Sequence, residues 1–168
     1  MAKLKKTLGP INTNEAKLMM QLISSQNQHT LASWAIDYAI DNYLPICYQE
    51  DILTLIMTCK NANENKQLLN DAKKAIKQLR LLAKNNDIIK ETAIKAIATA
   101  CATLTTPSNA FGFLLYGNAA LAYKQLGLFD TPKNYEAFAL ASLNHAYQSL
   151  LKNSIPNEPD PVKINWNC

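Results

Sequence analysis

Apolar residues recur along this chain at intervals of three and four, the spacing that places side chains on one face of a helix. Between residues 14 and 25, Leu18, Met19, Leu22 and Ile23 form such a stripe, with Asn14 placed to cap it. A second helix is expected from about 28 to 44, ended or kinked by Pro45 because proline pushes its predecessor out of the helical region. Residues 50–60, EDILTLIMTCK, put acidic groups in the first turn and a lysine in the last, the polarity that a helix dipole favours, and the polar run NANENK then reads as a loop. From 66 to 84, Leu69, Ala72, Ile76, Leu79 and Ala83 share one face of an amphipathic helix.

Residues 87–104 and 107–126 predict an antiparallel helical hairpin. Thr106 is expected to be the N-cap of its second helix, Pro107 the first helical position and Gly127 the left-handed closing residue. No charged residue stands between Lys95 and Lys124, so this hairpin is expected at the centre of the fold. A last helix, about 133–151, offers Tyr135, Phe138, Leu143, Ala146 and Leu150 for packing. Pro156, Pro159 and Pro161 make the end of the chain extended, with Trp166 available to dock it. The expected architecture is a single-domain, all-α bundle or array of about six to seven helices. A basic leader over 1–13 and a proline-containing tail over 152–168 flank a helical domain over 14–151.

Composition agrees with that picture. The 168 residues are 48% apolar with only four glycines, enough for one core and rich in helix formers. The formal charge of +4 is modest and its lysines are spread out, so phosphate binding is weakly signalled. Cysteines 47, 59, 101 and 168 form no Cys-x-x-Cys pair and have no zinc-type histidine spacing, which fits reduced thiols in a cytosol and no metal. The run LMMQLI is too short and too polar for a secretory signal, and no stretch approaches the roughly 18 apolar residues of a membrane span. A cytoplasmic protein without a cofactor is the expectation.

The stretch ASWAIDYAIDNYLP, residues 32–45, poses the sharpest question. Asp37 and Asp41 share a stripe flanked on one side by Trp34, Tyr38, Ala35 and Leu31 and on the other by Ile36, Ile40 and Tyr43. Carboxylates at i and i+4, joined by Glu50 or Asp51, could share a proton, hold a cation or meet a partner. A solvated edge is the simpler reading. His29 and His145 would need to converge with a nucleophile to do chemistry, and no G-x-S-x-G, H-E-x-x-H or phosphate-loop pattern is present. Lys73, Lys77, Arg80 and Lys84 form a basic stripe on a helix without aromatic residues, which disfavours nucleic acid. Trp34, Tyr38, Asn109, Tyr116 and Asn118 are candidates for a polar pocket between helices, or for structural hydrogen bonds there.

Two stretches carry a family resemblance. Trp34-Ala35, Tyr38-Ala39 and Leu44-Pro45, followed by Ala98-Thr99-Ala100 and Asn109-Ala110, Gly112 and Tyr116, resemble an early helix and an alanine-rich hairpin. Both belong to small, all-helical bacterial immunity proteins of polymorphic toxin systems. ICYQEDILTLI stands where that family tends to carry an Asp-Arg-Pro element, and Thr105 and Asn109 stand near positions where it favours histidines. The resemblance implies a non-catalytic protein that neutralises a cognate toxin by stoichiometric binding; the helix pattern and charge make Asp37, Asp41, Glu50 and Asp51 the candidate contact. A small-molecule-binding or enzymatic domain with a pocket near Trp34, Tyr38, Tyr116 and Asn118 is the alternative. A homodimer formed through apolar helices stays open.

Overall fold

The computed structural model describes residues 3–167, so Cys168 and the first two residues of the basic leader lie outside the described residues. Among the described residues there are eight α-helices and no strand. They are α1 (Asn14–Ser24), α2 (Gln28–Asn42), α3 (Leu44–Cys47), α4 (Glu50–Glu64), α5 (Leu69–Ala83), α6 (Ile88–Cys101), α7 (Asn109–Leu126) and α8 (Pro132–Asn153). Short 3-10 turns at Lys66–Leu68 and Ala102–Leu104 join α4 to α5 and extend α6.

The helix ends differ from expectation where local chemistry decides. Thr13, not Asn14, caps α1, its hydroxyl accepting from the Ala16 amide at 3.2 Å. Pro45 does not simply stop a helix. After α2 ends at Asn42 the chain starts α3 with Pro45 in its first turn, where a missing N–H costs nothing. The expected loop NANENK is helical through Glu64, and Asn65 makes the break, its side chain accepting from the Gln67 amide at 3.1 Å. Thr106 and Pro107 form a turn rather than a helix start. The Thr106 and Pro107 carbonyls accept from Asn109 and Ala110, and α7 begins at Asn109. Gly127 has the expected positive φ of 80°, but its ψ of −175° leads the chain away extended instead of in the left-handed helical conformation.

The α6 and α7 pair makes the most extensive helix contact, as the uncharged stretch implied. Its inner surface is built from small and branched side chains, among them Ala93, Ala96, Ile97, Ala100, Ala110 and Leu114, all essentially inaccessible. The helices α2 and α5 pack against α6, α4 packs on α5, and α8 lies against α7 and α1. Tyr43, wholly buried, lies so close to Gly117 of α7 that a Cβ there would sit 2.0 Å from the ring's Cζ. Glycine is therefore required at 117 by approach, not by backbone conformation.

Both flanking segments are tied down by polar contacts. The Leu8 amide donates to the Leu115 carbonyl at 3.0 Å, and the Leu8 carbonyl accepts from buried Asn118 at 3.1 Å. Lys6 and Lys95 both reach Glu91, at 2.7 and 3.1 Å, and the Lys6 hydrogen bond holds that carboxyl below its ordinary range. At the other end, Gln26 holds Ile155 through its side chain and Val162 through its carbonyl. Trp166 donates to Ser24 at 2.9 Å and stands edge-on to Phe111.

Gly117→Ala is expected to destabilise the protein by about 1–3 kcal/mol through overpacking against Tyr43. The Tyr43 hydroxyl has no hydrogen-bond partner among the described residues. Tyr43→Phe should therefore be at least as stable as the parent, since it removes a desolvated polar group. Urea unfolding of the two variants checks both signs.

Candidate functional site

The helix α2 buries Leu31, Ala32, Trp34, Ala35, Ile36, Tyr38 and Ala39, which leaves a narrow outward strip. Asp37 and Asp41 lie on that strip, Asp37 half-buried and Asp41 exposed. Opposite them, His145, Gln148, Ser149 and Lys152 follow one another at helical spacing on α8. Together the two helices bound an open cleft of about 820 Å³, whose α2 lining runs from His29 and Thr30 to Asp41 and Asn42.

The cleft has a fixed aromatic floor. Trp34 donates to the Ser149 hydroxyl at 3.1 Å, and the Tyr38 hydroxyl shares a 2.9 Å hydrogen bond with His145 Nδ1. Phe113 of α7 supports both rings edge-on from beneath, with centroids 5.4 Å from Trp34 and 6.1 Å from Tyr38. Burial pushes the Tyr38 phenol far above its ordinary pKa, so its hydroxyl stays protonated. The walls are wetter. Asp37 pairs with Lys60 of α4 at 2.7 Å, with both side chains about half exposed, a geometry worth at most about 1 kcal/mol. Asp41 has no side-chain partner among the described residues.

The candidate residues are thus divided. Trp34, Tyr38, Asp37 and Asp41 line the cleft together, whereas Glu50 and Asp51 occupy the first turn of α4 and do not line it. Glu50 instead accepts from the Tyr48 hydroxyl at 3.2 Å. Asn109, Tyr116 and Asn118 also lie outside the cleft; the Asn118 side-chain N–H donates to the leader, while its buried Oδ1 has no hydrogen-bond partner among the described residues. His29 and His145 do line the same cleft. His29 is engaged by the Asn63 carbonyl and His145 by Tyr38, so neither is paired with a serine or cysteine. The stripe of α8 residues escaped the sequence reading, although its spacing was readable once α8 was recognised as facing α2.

Among the described residues, no group of three or more His, Cys, Asp or Glu side chains could hold a metal ion. The basic stripe Lys73, Lys77, Arg80 and Lys84 is exposed along α5, away from the cleft. Cys47, Cys59 and Cys101 are buried free thiols. Burial raises Cys47 to about 11, and a hydrogen bond with Cys59 together with burial pushes Cys101 well up, which removes the thiolate needed for nucleophilic chemistry. No described helix is long and apolar enough to cross a membrane.

A family model described as Imm-5 like putative immunity protein matches residues 21–153, from α1 to the end of α8. The chain belongs to this family. No curated protein and no solved structure matches it. The match spans α2 and α8, the two helices that bound the cleft.

A strap of the C-terminal segment borders the cleft. Buried Glu158 accepts from the Asn27 amide at 2.8 Å and from the Thr30 hydroxyl, and so serves the start of α2 from outside the helix. Glu158→Ala is expected to cost about 1–3 kcal/mol by leaving these donors unpaired. Faster amide exchange at Val162 and Asn27, at unchanged helix content, is the readout.

Proposed function

We propose that this protein neutralises a cognate toxin by stoichiometric binding, and that the cleft between α2 and α8 is its contact surface. Family membership across 21–153 carries the neutralising role. The cleft supports the choice of surface for three reasons. Its floor is a rigid aromatic pair, the residue type that anchors interfaces, its walls present accessible polar groups, and Asp41 is left without a partner. The fixed Trp34 and Tyr38 side chains would lose little conformational freedom on binding.

A net charge of +4 argues against wholesale mimicry of nucleic acid, whereas the Asp37 and Asp41 strip suits a basic protrusion of the toxin. Glu50 and Asp51, on α4, would extend the acidic rim only if the toxin overhangs the cleft. The reading places the protein in the bacterial cytoplasm, in keeping with three buried free thiols. A small-molecule site is the second reading, because the cleft volume falls within the usual ligand range. Its openness to solvent and a lining that is polar and apolar in near-equal measure suit a protein surface better, since ligand pockets are mostly apolar.

The test is rescue of a host from the toxin encoded beside this chain, with a one-to-one complex recovered. Failure to protect against every co-encoded candidate would sink the reading. Within it, Asp37→Ala combined with Asp41→Ala should weaken toxin binding about tenfold or more, with the thermal midpoint within a few degrees of the parent. Unchanged affinity would move the contact off this cleft. A small molecule that co-purifies in the cleft and competes with no toxin would favour the second reading.

A further inference from the structure

At the far end of the bundle, the turn between α7 and α8 holds Phe129 out in water at 82% exposure, more than any other large apolar side chain described. The turn is built to hold that position. The Tyr135 hydroxyl donates to the Gly127 carbonyl at 2.7 Å and accepts from the Asp130 amide at 3.0 Å. Asp130 in turn accepts from the Thr131 amide and from the Asn134 side chain. A side chain left free to fold back would cover its own apolar neighbours; this one is displayed on a braced turn.

Phe129 stands on the edge of an apolar hollow of about 270 Å³ that it lines together with Leu4, Leu8, Tyr123, Leu128, Pro132 and Tyr135. Its rim carries Lys3 and Lys5 from the leader and Asp130 and Glu136 from the turn and α8. The patch therefore contains a knob and a hole side by side, together with two positive and two negative charges. A surface of that kind can meet its own copy across a two-fold axis, the knob of each facing the hole of the other and each sign of charge facing its opposite. The balanced rim also lets two chains, each at +4, meet here without local repulsion.

We propose that this end of the molecule is a two-fold interface with a second copy of the chain, in which Phe129 of each copy enters the hollow of the other. The leader is part of the interface. Its placement is secured by the Tyr123 hydroxyl, which donates to the Lys5 carbonyl at 2.6 Å, and by the Leu8 contacts to α7. The α2–α8 cleft does not include any residue of this patch, so dimer formation and occupancy of the cleft are separate events.

Sedimentation velocity on the full chain, over a roughly hundredfold range of concentration, should show reversible monomer–dimer exchange. Phe129→Asp should raise the dimer dissociation constant about tenfold or more, as loss of a central aromatic anchor does. Its thermal midpoint at low concentration should stay unchanged, because the side chain makes little contact within its own chain. Glu136→Lys should also weaken the dimer, and adding Lys3→Glu and Lys5→Glu to that variant should restore it. A chain that is monomeric throughout, or a dimer indifferent to Phe129→Asp, overturns the proposal. So does a monomeric parent whose toxin affinity falls with Phe129→Asp, which would assign the patch to the toxin.

Discussion

Tyr43 is pressed against the backbone of α7 at Gly117, at a separation that admits no Cβ. That contact lies at the point where α2 ends and α3 begins, and it holds the C-terminal end of α2 against the central helix pair. With that end held, Trp34 and Tyr38 fall onto Phe113, also on α7, and the opposite strip of α2 is left facing α8. A side chain at 117 would push α2 outward, and the floor of the cleft would lose its support. Dense interiors transmit such displacements because they have little free volume in which to absorb them.

The polar contacts between distant parts of the chain follow a common logic. Gln26, Asn118 and Glu158 are buried or nearly so, and each hydrogen-bonds backbone or side-chain groups of a segment far away in sequence. A buried amide or carboxylate is costly without partners, so these residues stabilise only one placement of the leader and of the tail. The result is two irregular segments laid on a helical body with defined register. One of them borders the cleft, and the other builds the rim of the Phe129 patch.

Much of this was legible beforehand because helical periodicity is a local property. The uncharged run between Lys95 and Lys124 pointed to the central hairpin, and the two apolar flanks of ASWAIDYAIDNYLP pointed to a helix enclosed by neighbours. Helix ends were read less well. Asn14 and Thr13 are both good caps, and the choice between them depends on which hydroxyl or amide the chain direction presents to the next turn. NANENK looked like a loop by composition, yet with Ala62 packed in the core α4 continues as far as Glu64. Local preference of about half a kilocalorie per residue yields to burial.

The sequence by itself determined the all-helical class, the order of the helices and the acidic strip of Asp37 and Asp41, since each depends on neighbours three or four residues away. Tertiary structure alone decided which distant residues meet. It set His145 and Ser149 opposite Tyr38 and Trp34, tied Asn118 to the leader and left Phe129 on the edge of an apolar hollow. Glu50 and Asp51, readable beforehand as the first turn of the next helix, were left outside the cleft that Asp37 and Asp41 line. The physical reason is that helix faces can be read from a periodic code, whereas the pairing of one face with another is settled by shape and by buried hydrogen bonds across the whole chain.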